Sequence, residues 1–369
     1  MKITDIKITL FRWEGIPETK YVQGVGGFGG VSQLGLVEII TDDGITGRSF
    51  LGSAARGAHF DAQSLVDTLK PVLLGQDPLD REKLYRAMWK RNRNTTLRAI
   101  GAVDVALWDI GGIAASLPIH RLIGTYRTEV RAYASSAVLP TPEGYVDEAV
   151  DLKKKGWGAY KIHPPTRWRE DIALATAVRK AVGDDYTLML DSTWAYNLRE
   201  AMQVGRAIEE MNYYWFEDPL GEDDILNYVQ LRQKLDIPVV ATEYSWGSLE
   251  AYVPWITLGA TAALRGDVAV KGGITPCLKA AHLAEAFNMN FELHHGGNSL
   301  NNWANLHIAA SIRNTDMFEV LLPSSSQKYA VTADLEIDPH GFIQVPNGVG
   351  LGAEIDQDLI ARNTMASVK

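Results

Sequence analysis

Three carboxylates stand at a regular interval in the second half of the chain. Asp191, Glu217 and Glu243 follow one another in steps of 26 residues, and each closes a short apolar run: TLMLD, YWFE and PVVATE. Such runs are typical of buried strands. The ends of neighbouring strands lie about 5 Å apart, so acids on three neighbours would converge. Converging acids need a cation to remain ionised, and hard oxygen ligands favour Mg²⁺. Separate surface acids or salt bridges are the alternative.

Residues that could move protons flank these acids. Lys161 and His163 are two positions apart, which places them on the same face of a strand. Asp267 and His294 end the two strands that follow the acids, and contact between them would orient the imidazole and raise its basicity. Glu319 ends the last strand, where it could accept a hydrogen bond from a substrate carboxyl group or form a structural salt bridge. The sequence therefore predicts a metal site between two proton-transferring flanks.

Two neighbours of these residues are predicted to have structural roles. Asp218, next to Glu217, is expected to pair with a lysine or an arginine. His295 would point away from His294 in an extended strand, so we expect it only to pack.

The spacing of the strand ends indicates how these residues are held. From about residue 128, strand-like runs recur every 24–28 residues and alternate with amphipathic segments such as 170–182 and 198–211. Repeated strand–helix units favour a parallel sheet, and about eight of them favour an α/β barrel. The active sites of such barrels lie at the carboxyl ends of the strands. The polar residues described above are predicted to lie there.

The first third of the chain has a different pattern. Residues 34–50 contain two strand-like runs around Asp43-Gly44, which is a hairpin signal. Helical periodicity follows over 63–93 and 97–116. The glycine-rich stretch 24–30 matches a dinucleotide-binding fingerprint by its letters, but it precedes a strand and not the helix that would receive a pyrophosphate. We interpret it as a mobile loop that could cover a site.

Composition excludes several functions. The 369 residues carry a net charge of −9, so there is no basic field to bind nucleic acid or an anionic membrane. The sequence has neither a signal-peptide core nor an apolar run of about eighteen residues, which predicts a cytoplasmic protein without membrane segments. The single cysteine, Cys277, fits a reducing compartment. An anionic substrate would need locally placed cations.

Together these motifs resemble those of the enolase superfamily, specifically its mandelate racemase subgroup, over essentially the whole chain. The resemblance is carried by Asp104-Val-Ala-Leu-Trp-Asp109, Lys161-x-His163, the three acids, Asp267 with Gly272-Gly273-Ile274-Thr275, His294 and the tail VPNGVGLGAEID. It implies an α+β capping domain at 1–125, completed by 340–369, and a modified (β/α)₇β barrel, a variant of the TIM barrel, at 126–339. It also implies one Mg²⁺ bound by the three acids, and a homo-oligomer. Capping-domain loops around 16–33 and 51–58 would set specificity.

This sequence departs from the usual pattern of the subgroup at two positions. His163 stands where a second lysine is usual, and Thr193 stands where an asparagine often follows the metal ligand of the third strand. A lysine base needs its pKa lowered from about 10.4, whereas a histidine starts near 6.5. His163 could therefore act as base or acid, or it could only bind substrate.

The resemblance implies removal of the proton next to the carboxylate of a sugar acid, which Lys161 and Glu319 would help to bind. Depending on where the proton is returned, the result is dehydration, racemisation or cycloisomerisation. Acid-sugar dehydration is our first hypothesis because it is frequent in the subgroup and because His163 and His294 can both act as acids. A non-catalytic binder of metal and sugar acid is the alternative from another class, although binding alone does not need an oriented base.

Overall fold

The computed structural model describes residues 1–22, 24, 26–245, 247 and 249–369. Val25, in the glycine-rich stretch, lies outside the described residues. The chain forms an N-terminal antiparallel sheet with helices, followed by a barrel of alternating parallel strands and helices. The predicted α/β fold class is confirmed. Among the described residues, no helix is both long enough and apolar enough to cross a membrane.

The described strands and helices have the following bounds. The strands are β1 (Ile3–Thr19), β2 (Phe28–Thr41), β3 (Thr46–Leu51), β4 (Glu129–Ser135), β5 (Ala159–Ile162), β6 (Thr187–Asp191), β7 (Trp215–Glu217), β8 (Val239–Val240), β9 (Ala263–Gly266), β10 (Asn290–Leu293), β11 (Phe318–Leu321), β12 (Phe342–Gln344) and β13 (Thr364–Val368). The helices are α1 (His59–Ser64), α2 (Lys70–Leu73), α3 (Arg81–Trp89), α4 (Leu97–Ala115), α5 (Ile119–Ile123), α6 (Pro142–Lys154), α7 (Trp168–Val182), α8 (Leu198–Glu210), α9 (Ile225–Lys234), α10 (Tyr252–Thr257), α11 (Ile274–Ala286), α12 (Ser299–Ser311) and α13 (Gln357–Asn363).

The N-terminal sheet has the strand order β13-β1-β2-β3, and all of its neighbours are antiparallel. The predicted hairpin at Asp43-Gly44 joins β2 to β3. Alternate residues of β1, such as Ile6 and Ile8, are buried against Val103 of α4 in one apolar core. Every second side chain of β1 therefore packs against the apolar face of α4 to form this core.

Two predictions about this region need correction. β2 begins at Phe28, so the end of the glycine-rich stretch belongs to a strand. The predicted helix over 63–93 is interrupted between α2 and α3, where Gly75 has φ +75°. A residue in this left-handed conformation ends a helix, and glycine adopts it without steric cost.

The C-terminal part is a barrel of eight parallel strands. Six of them pair in the order β11-β4-β5-β6-β7-β8, and β9 pairs with β10. A parallel bridge between Ala241 and Leu264 connects the end of β8 to β9. Helices α6 to α12 connect successive strands, which gives the predicted (β/α)₇β arrangement.

Helix α4 fastens the N-terminal region to the barrel. The Asp104 carboxylate accepts hydrogen bonds from the backbone N–H of Thr275 at 2.9 Å and from its hydroxyl at 2.7 Å. One turn further along, Asp109 accepts from the N–H of Leu351 at 2.8 Å and from that of Arg48 at 2.9 Å. Both carboxylates are buried. The two acids of the Asp-Val-Ala-Leu-Trp-Asp motif thus hold this helix against α11 and the C-terminal segment.

The C-terminal segment contacts both parts of the molecule. β12 pairs with barrel strand β4, whereas β13 pairs with β1 of the N-terminal sheet. The exact division into domains at 1–125, 126–339 and 340–369 stays a prediction.

Candidate active site

The structure brings the three predicted metal ligands together. Asp191 ends β6, Glu217 ends β7, and Glu243 lies three residues beyond β8. One carboxylate oxygen from each lies within 4.8 Å of the others, and all three side chains are buried. The acids converge because their strands are neighbours with the same direction. We call Asp191, Glu217 and Glu243 the acid ring.

Lys161 provides a buried cation beside this ring. Its ammonium nitrogen lies 3.1 Å from Asp191 Oδ2, 3.0 Å from Glu217 Oε2 and 2.7 Å from Glu319 Oε1. Although burial lowers the pKa of Lys161, Glu217 and Glu319 raise it well above its usual value. Lys161 is therefore charged at neutral pH, and it is not a base in this arrangement.

Arg265 provides a second buried cation that the sequence analysis missed. Its Nε lies 2.7 Å from Glu217 Oε1, and its Nη2 lies 2.8 Å from Glu319 Oε2. The residue is fully buried and belongs to β9, two positions before Asp267. A signal was present in the sequence, because an arginine inside an apolar strand must have buried partners.

Glu319 differs from its predicted position. It was expected to end the last strand, but it is the second residue of β11, because the apolar run continues to Leu321. The side chain lies between Lys161 and Arg265, so it forms the salt bridge that was the alternative prediction. Although burial raises the pKa of Glu319, these two cations hold it well below its usual range.

Two histidines contact opposite ends of the acid ring. His163 Nε2 lies 3.0 Å from Asp191, and its Nδ1 lies 2.7 Å from the carbonyl oxygen of Ser136. A carbonyl can only accept, so Nδ1 carries a proton and Nε2 faces the ring. His294 is arranged alike: Nε2 lies 3.1 Å from Glu243, and Nδ1 lies 2.5 Å from Asp267 Oδ2.

The pKa values differ between the two ends of the acid ring. Burial raises the pKa of Glu243 to about 8, against the opposing effects of His294 and Arg265. At the other end, burial raises the pKa of Asp191, but Lys161 and His163 bring it below its usual value. Three buried carboxylates that converge are oxygen donors that fit a hard divalent cation. The acid ring is therefore a candidate metal site.

The environment of His294 favours the protonated imidazole. Burial lowers its pKa, but Glu243 and the hydrogen bond to Asp267 raise it to about 9. Asp267 is not one of the predicted metal ligands, so it can hold the imidazole proton independently of the acid ring.

The prediction that Asp218 pairs with a cation is wrong, and so is the expected direction of His295. Asp218 forms no ion pair with the described residues, and its Oδ2 accepts a hydrogen bond from the Trp194 indole at 3.1 Å. His295 lines the same cavity as His294, with the two ring centres 4.3 Å apart. The alternation expected of a strand fails at this point because β10 has already ended at Leu293.

A cavity of about 420 Å³ lies above these residues. The barrel supplies its floor, including the two histidines, Lys161 and Glu319. Residues 20–22, 26, 28 and 50–56 of the N-terminal region also line it. These residues fall within or next to the capping-domain loops that the sequence analysis placed at the site.

An eight-stranded parallel barrel with an antiparallel cap and acids on three successive strands is an enolase-like fold. Residues 144–359 match the family model described as enolase C-terminal domain-like. Residues 25–124 match the N-terminal domain of mandelate racemase / muconate lactonizing enzyme. The chain therefore belongs to the mandelate racemase/muconate lactonizing enzyme family of the enolase superfamily, as its motifs indicated.

Relatives extend this comparison. Arabinonate dehydratase from Saccharolobus solfataricus is 28% identical over 376 aligned residues, which cover 96% of each chain. L-talarate/galactarate dehydratase from Salmonella typhimurium is 33% identical over 260 residues, which cover 68% of this chain and 64% of the relative. The structure of D-glucarate dehydratase from Agrobacterium tumefaciens complexed with magnesium has a TM-score of 0.87 at 33% identity, covering 99% of this chain and 100% of that one. Other relatives are described as a racemase and as cycloisomerases.

Proposed function

We propose that this protein removes the proton next to the carboxylate of a sugar acid and then expels a β-hydroxyl as water, giving a 2-keto-3-deoxy acid. One observation carries the proposal. Two imidazoles face opposite ends of the acid ring with Nε2, while an acceptor holds each Nδ1. This arrangement provides one group to take a proton and another to give one, on two sides of a bound carboxylate.

The acid ring would hold Mg²⁺, which its three converging oxygen donors support. When bound, the ion would bind the substrate carboxylate and stabilise the negative charge that develops there after proton removal. Lys161 contributes a fixed positive charge beside the same carboxylate. The magnesium in the related D-glucarate dehydratase structure favours this choice of metal.

We assign the base to His163 and the acid to His294. The Ser136 carbonyl holds the Nδ1 proton of His163, so Nε2 is the nitrogen that can take the substrate proton. His294 has a raised pKa and an Asp267 partner, so it can donate from Nε2 to the departing hydroxyl. The electrons of the C–O bond leave with the hydroxyl group, which takes the His294 proton and departs as water. The enol that remains then tautomerises to the 2-keto-3-deoxy acid.

Racemisation or cycloisomerisation is the second candidate. The same residues would return the proton to the α-carbon from the opposite face, or would break a ring C–O bond. Relatives with these activities support this alternative. The larger share of acid-sugar dehydratases among the relatives favours dehydration. A homo-oligomeric state and a cytoplasmic location stay predictions.

The test combines isotope exchange with product analysis. The Mg²⁺-loaded protein is incubated in D₂O with hexonates, pentonates, aldarates and their lactones, and both α-deuterium incorporation and keto-acid formation are followed. His163→Asn should abolish both, whereas His294→Asn should abolish keto acid but keep exchange. His282→Asn is the matched control because His282 is exposed on α11.

Three other outcomes would contradict this assignment. Exchange that survives in His163→Asn but not in His294→Asn would reverse the two roles. Inversion at the α-carbon without keto acid would favour the racemase. Tight binding of a sugar acid without any exchange in the unmodified protein would favour a non-catalytic binder.

A further inference from the structure

The cavity has an asymmetric distribution of charge. Every described acidic residue that lines it belongs to the barrel: Asp191, Asp218, Glu243, Asp267 and Glu319. The charged residues that the N-terminal region contributes are all cations, namely Lys20, Arg56 and Arg98. The whole chain has a net charge of −9, so this cationic wall is a local exception. It faces a floor whose own cation, Lys161, is already occupied by three carboxylates.

Arg98 is the wall residue with an uncompensated charge. It lies in the first turn of α4 and is half-buried. Among the described residues, its guanidinium has no ion-pair partner and no hydrogen bond with a side chain, so its charge is available to a ligand in the cavity. The start of a nineteen-residue helix adds the positive end of the helix dipole at the same place.

Arg98 lines the cavity together with Tyr244. Burial raises the pKa of the Tyr244 hydroxyl, and the Arg98 guanidinium is close enough to oppose this rise. The Tyr244 ring lies 6.1 Å from the ring of His294. The Arg98 and Tyr244 side chains therefore line the same cavity as His294.

Arg56 differs from Arg98 because its charge is balanced. Its Nε and Nη2 donate to the fully buried Asp61 at 3.1 and 3.0 Å. Its backbone N–H donates to Ser53 Oγ at 3.1 Å, which fixes the loop that it belongs to. Arg56 therefore offers a fixed hydrogen-bond donor with little net charge. Lys20 lies elsewhere, next to Tyr21, whose ring is 5.6 Å from that of His163.

We propose that the substrate carries a second carboxylate, remote from the one at the acid ring, and that the Arg98 guanidinium binds it. The proposal rests on the function proposed above, and it narrows the substrate class to aldarates, the sugar acids with a carboxylate at each end. An aldonate would leave a neutral hydroxymethyl group against Arg98, and the half-buried guanidinium would remain without an anion. An aldarate supplies the missing charge, and a guanidinium can bind a carboxylate with two hydrogen bonds.

The first test measures binding without turnover. The probes are 2-oxoglutarate and 2-oxopentanoate, which share length and a 2-oxo-carboxylate but differ in the distal carboxylate. By calorimetry on the Mg²⁺-loaded protein, 2-oxoglutarate should bind about 10- to 100-fold more tightly, as expected for hydrogen bonds between charged groups. Arg98→Gln should reduce this preference to less than about threefold. Arg93→Gln, an exposed position in the turn before α4, should leave it unchanged.

The second test compares turnover of aldarates and aldonates of the same configuration. The aldarate should have the higher kcat/KM, and Arg98→Gln should raise its KM by about 10- to 100-fold with little change in kcat. This pattern indicates lost binding that is equal in the ground and transition states. Arg98→Lys, which keeps the charge but not the two-pronged geometry, should recover part of the loss. A mere folding defect would lower kcat for both substrate classes.

The outcomes separate this proposal from the proposed function. Equal binding of the two 2-oxo acids, or a preference that survives Arg98→Gln, overturns the second-carboxylate site. Faster turnover of aldonates overturns it as well, while the dehydratase proposal stands. A 2-oxoglutarate preference that Arg98→Gln removes, in a protein that exchanges no sugar-acid proton, supports the site and overturns the proposed function.

Discussion

Replacing Arg265 by methionine tests how the buried charges are held. The variant loses the contacts of Arg265 with Glu217 at 2.7 Å and with Glu319 at 2.8 Å. Removal of one partner of a buried ion pair costs about 3–5 kcal/mol, because a buried charge remains uncompensated. Here Lys161 still contacts both carboxylates. We therefore expect the lower end of this range, a loss of about 3 kcal/mol of unfolding free energy.

Urea unfolding in EDTA and in saturating Mg²⁺ measures this loss. In EDTA the full cost should be seen. Mg²⁺ binds only the native acid ring, so it stabilises every variant in which that ring is intact. Without the Arg265 charge the ring should bind the ion more tightly, so the loss should be smaller in Mg²⁺ than in EDTA. Arg313→Met is the control, because its ion pair with Glu285 has a distance of 3.0 Å but is exposed. Its cost should stay below about 1 kcal/mol.

A double-mutant cycle provides the result that would refute this reasoning. Glu319→Gln in the Arg265→Met background removes a carboxylate that has lost one of its two cations, so it should recover about 1–2 kcal/mol. No recovery would show that the Arg265 contribution is packing and not charge compensation. A loss below about 1 kcal/mol in EDTA would show that Lys161 alone neutralises the site.

Further predictions concern the contacts that hold α4 against the barrel and proton donation by His294. Burial raises the pKa of Asp104 from 3.8 to about 7. Between these pH values the folded state keeps the proton that the unfolded state has lost, so stability should fall as pH rises from about 4 to 7. Asp104→Asn should remove that part of the fall, seen in urea midpoints at pH 4.5 and 8; an unchanged pH dependence would contradict the assignment. Gly273→Ala should lower the melting temperature, because the added Cβ would lie 2.2 Å from Asp104 Oδ2 at a φ of +120°. Gly144→Ala, whose Cβ meets nothing closer than 3.7 Å, should not. Asp267→Asn should keep α-proton exchange but lower keto-acid formation by at least about 100-fold, because His294 would lose its charged partner; equal loss of both would assign Asp267 to proton removal as well.

The acid ring could be predicted from the sequence because the strands that hold it recur at a nearly constant interval. Strands repeated at a nearly constant interval place their ends at one edge of a parallel sheet, so Asp191, Glu217 and Glu243 had to meet. The histidines followed from the same reasoning, since His163 and His294 come directly after β5 and β10. Such inferences need only the strand order and the direction of the chain.

The predictions that failed concern residues whose contacts or strand ends are not defined by the periodicity of the sequence. Arg265 is explained by Glu319, which is 54 residues away in sequence. Glu319 itself was placed at a strand end because the apolar residues after it also fit a loop entering the next segment. The direction of His295 was predicted wrongly because β10 ends before it. Neither the partners of a buried charge nor the last residue of a strand is fixed by local pattern.

The hydrogen bonds that hold α4 against the barrel also fix the position of the proposed substrate-binding residue, Arg98. Arg98, Asp104 and Asp109 belong to one helix, and the two acids hold that helix against α11 and the C-terminal segment. The distance from Arg98 to the acid ring is therefore set by buried hydrogen bonds and not by a loop. A substrate with two carboxylates would have to span from the acid ring to Arg98. The cavity-lining residues at 20–22, 26 and 52–56 would then distinguish hydroxyl configurations, and Arg98 would bind the distal carboxylate.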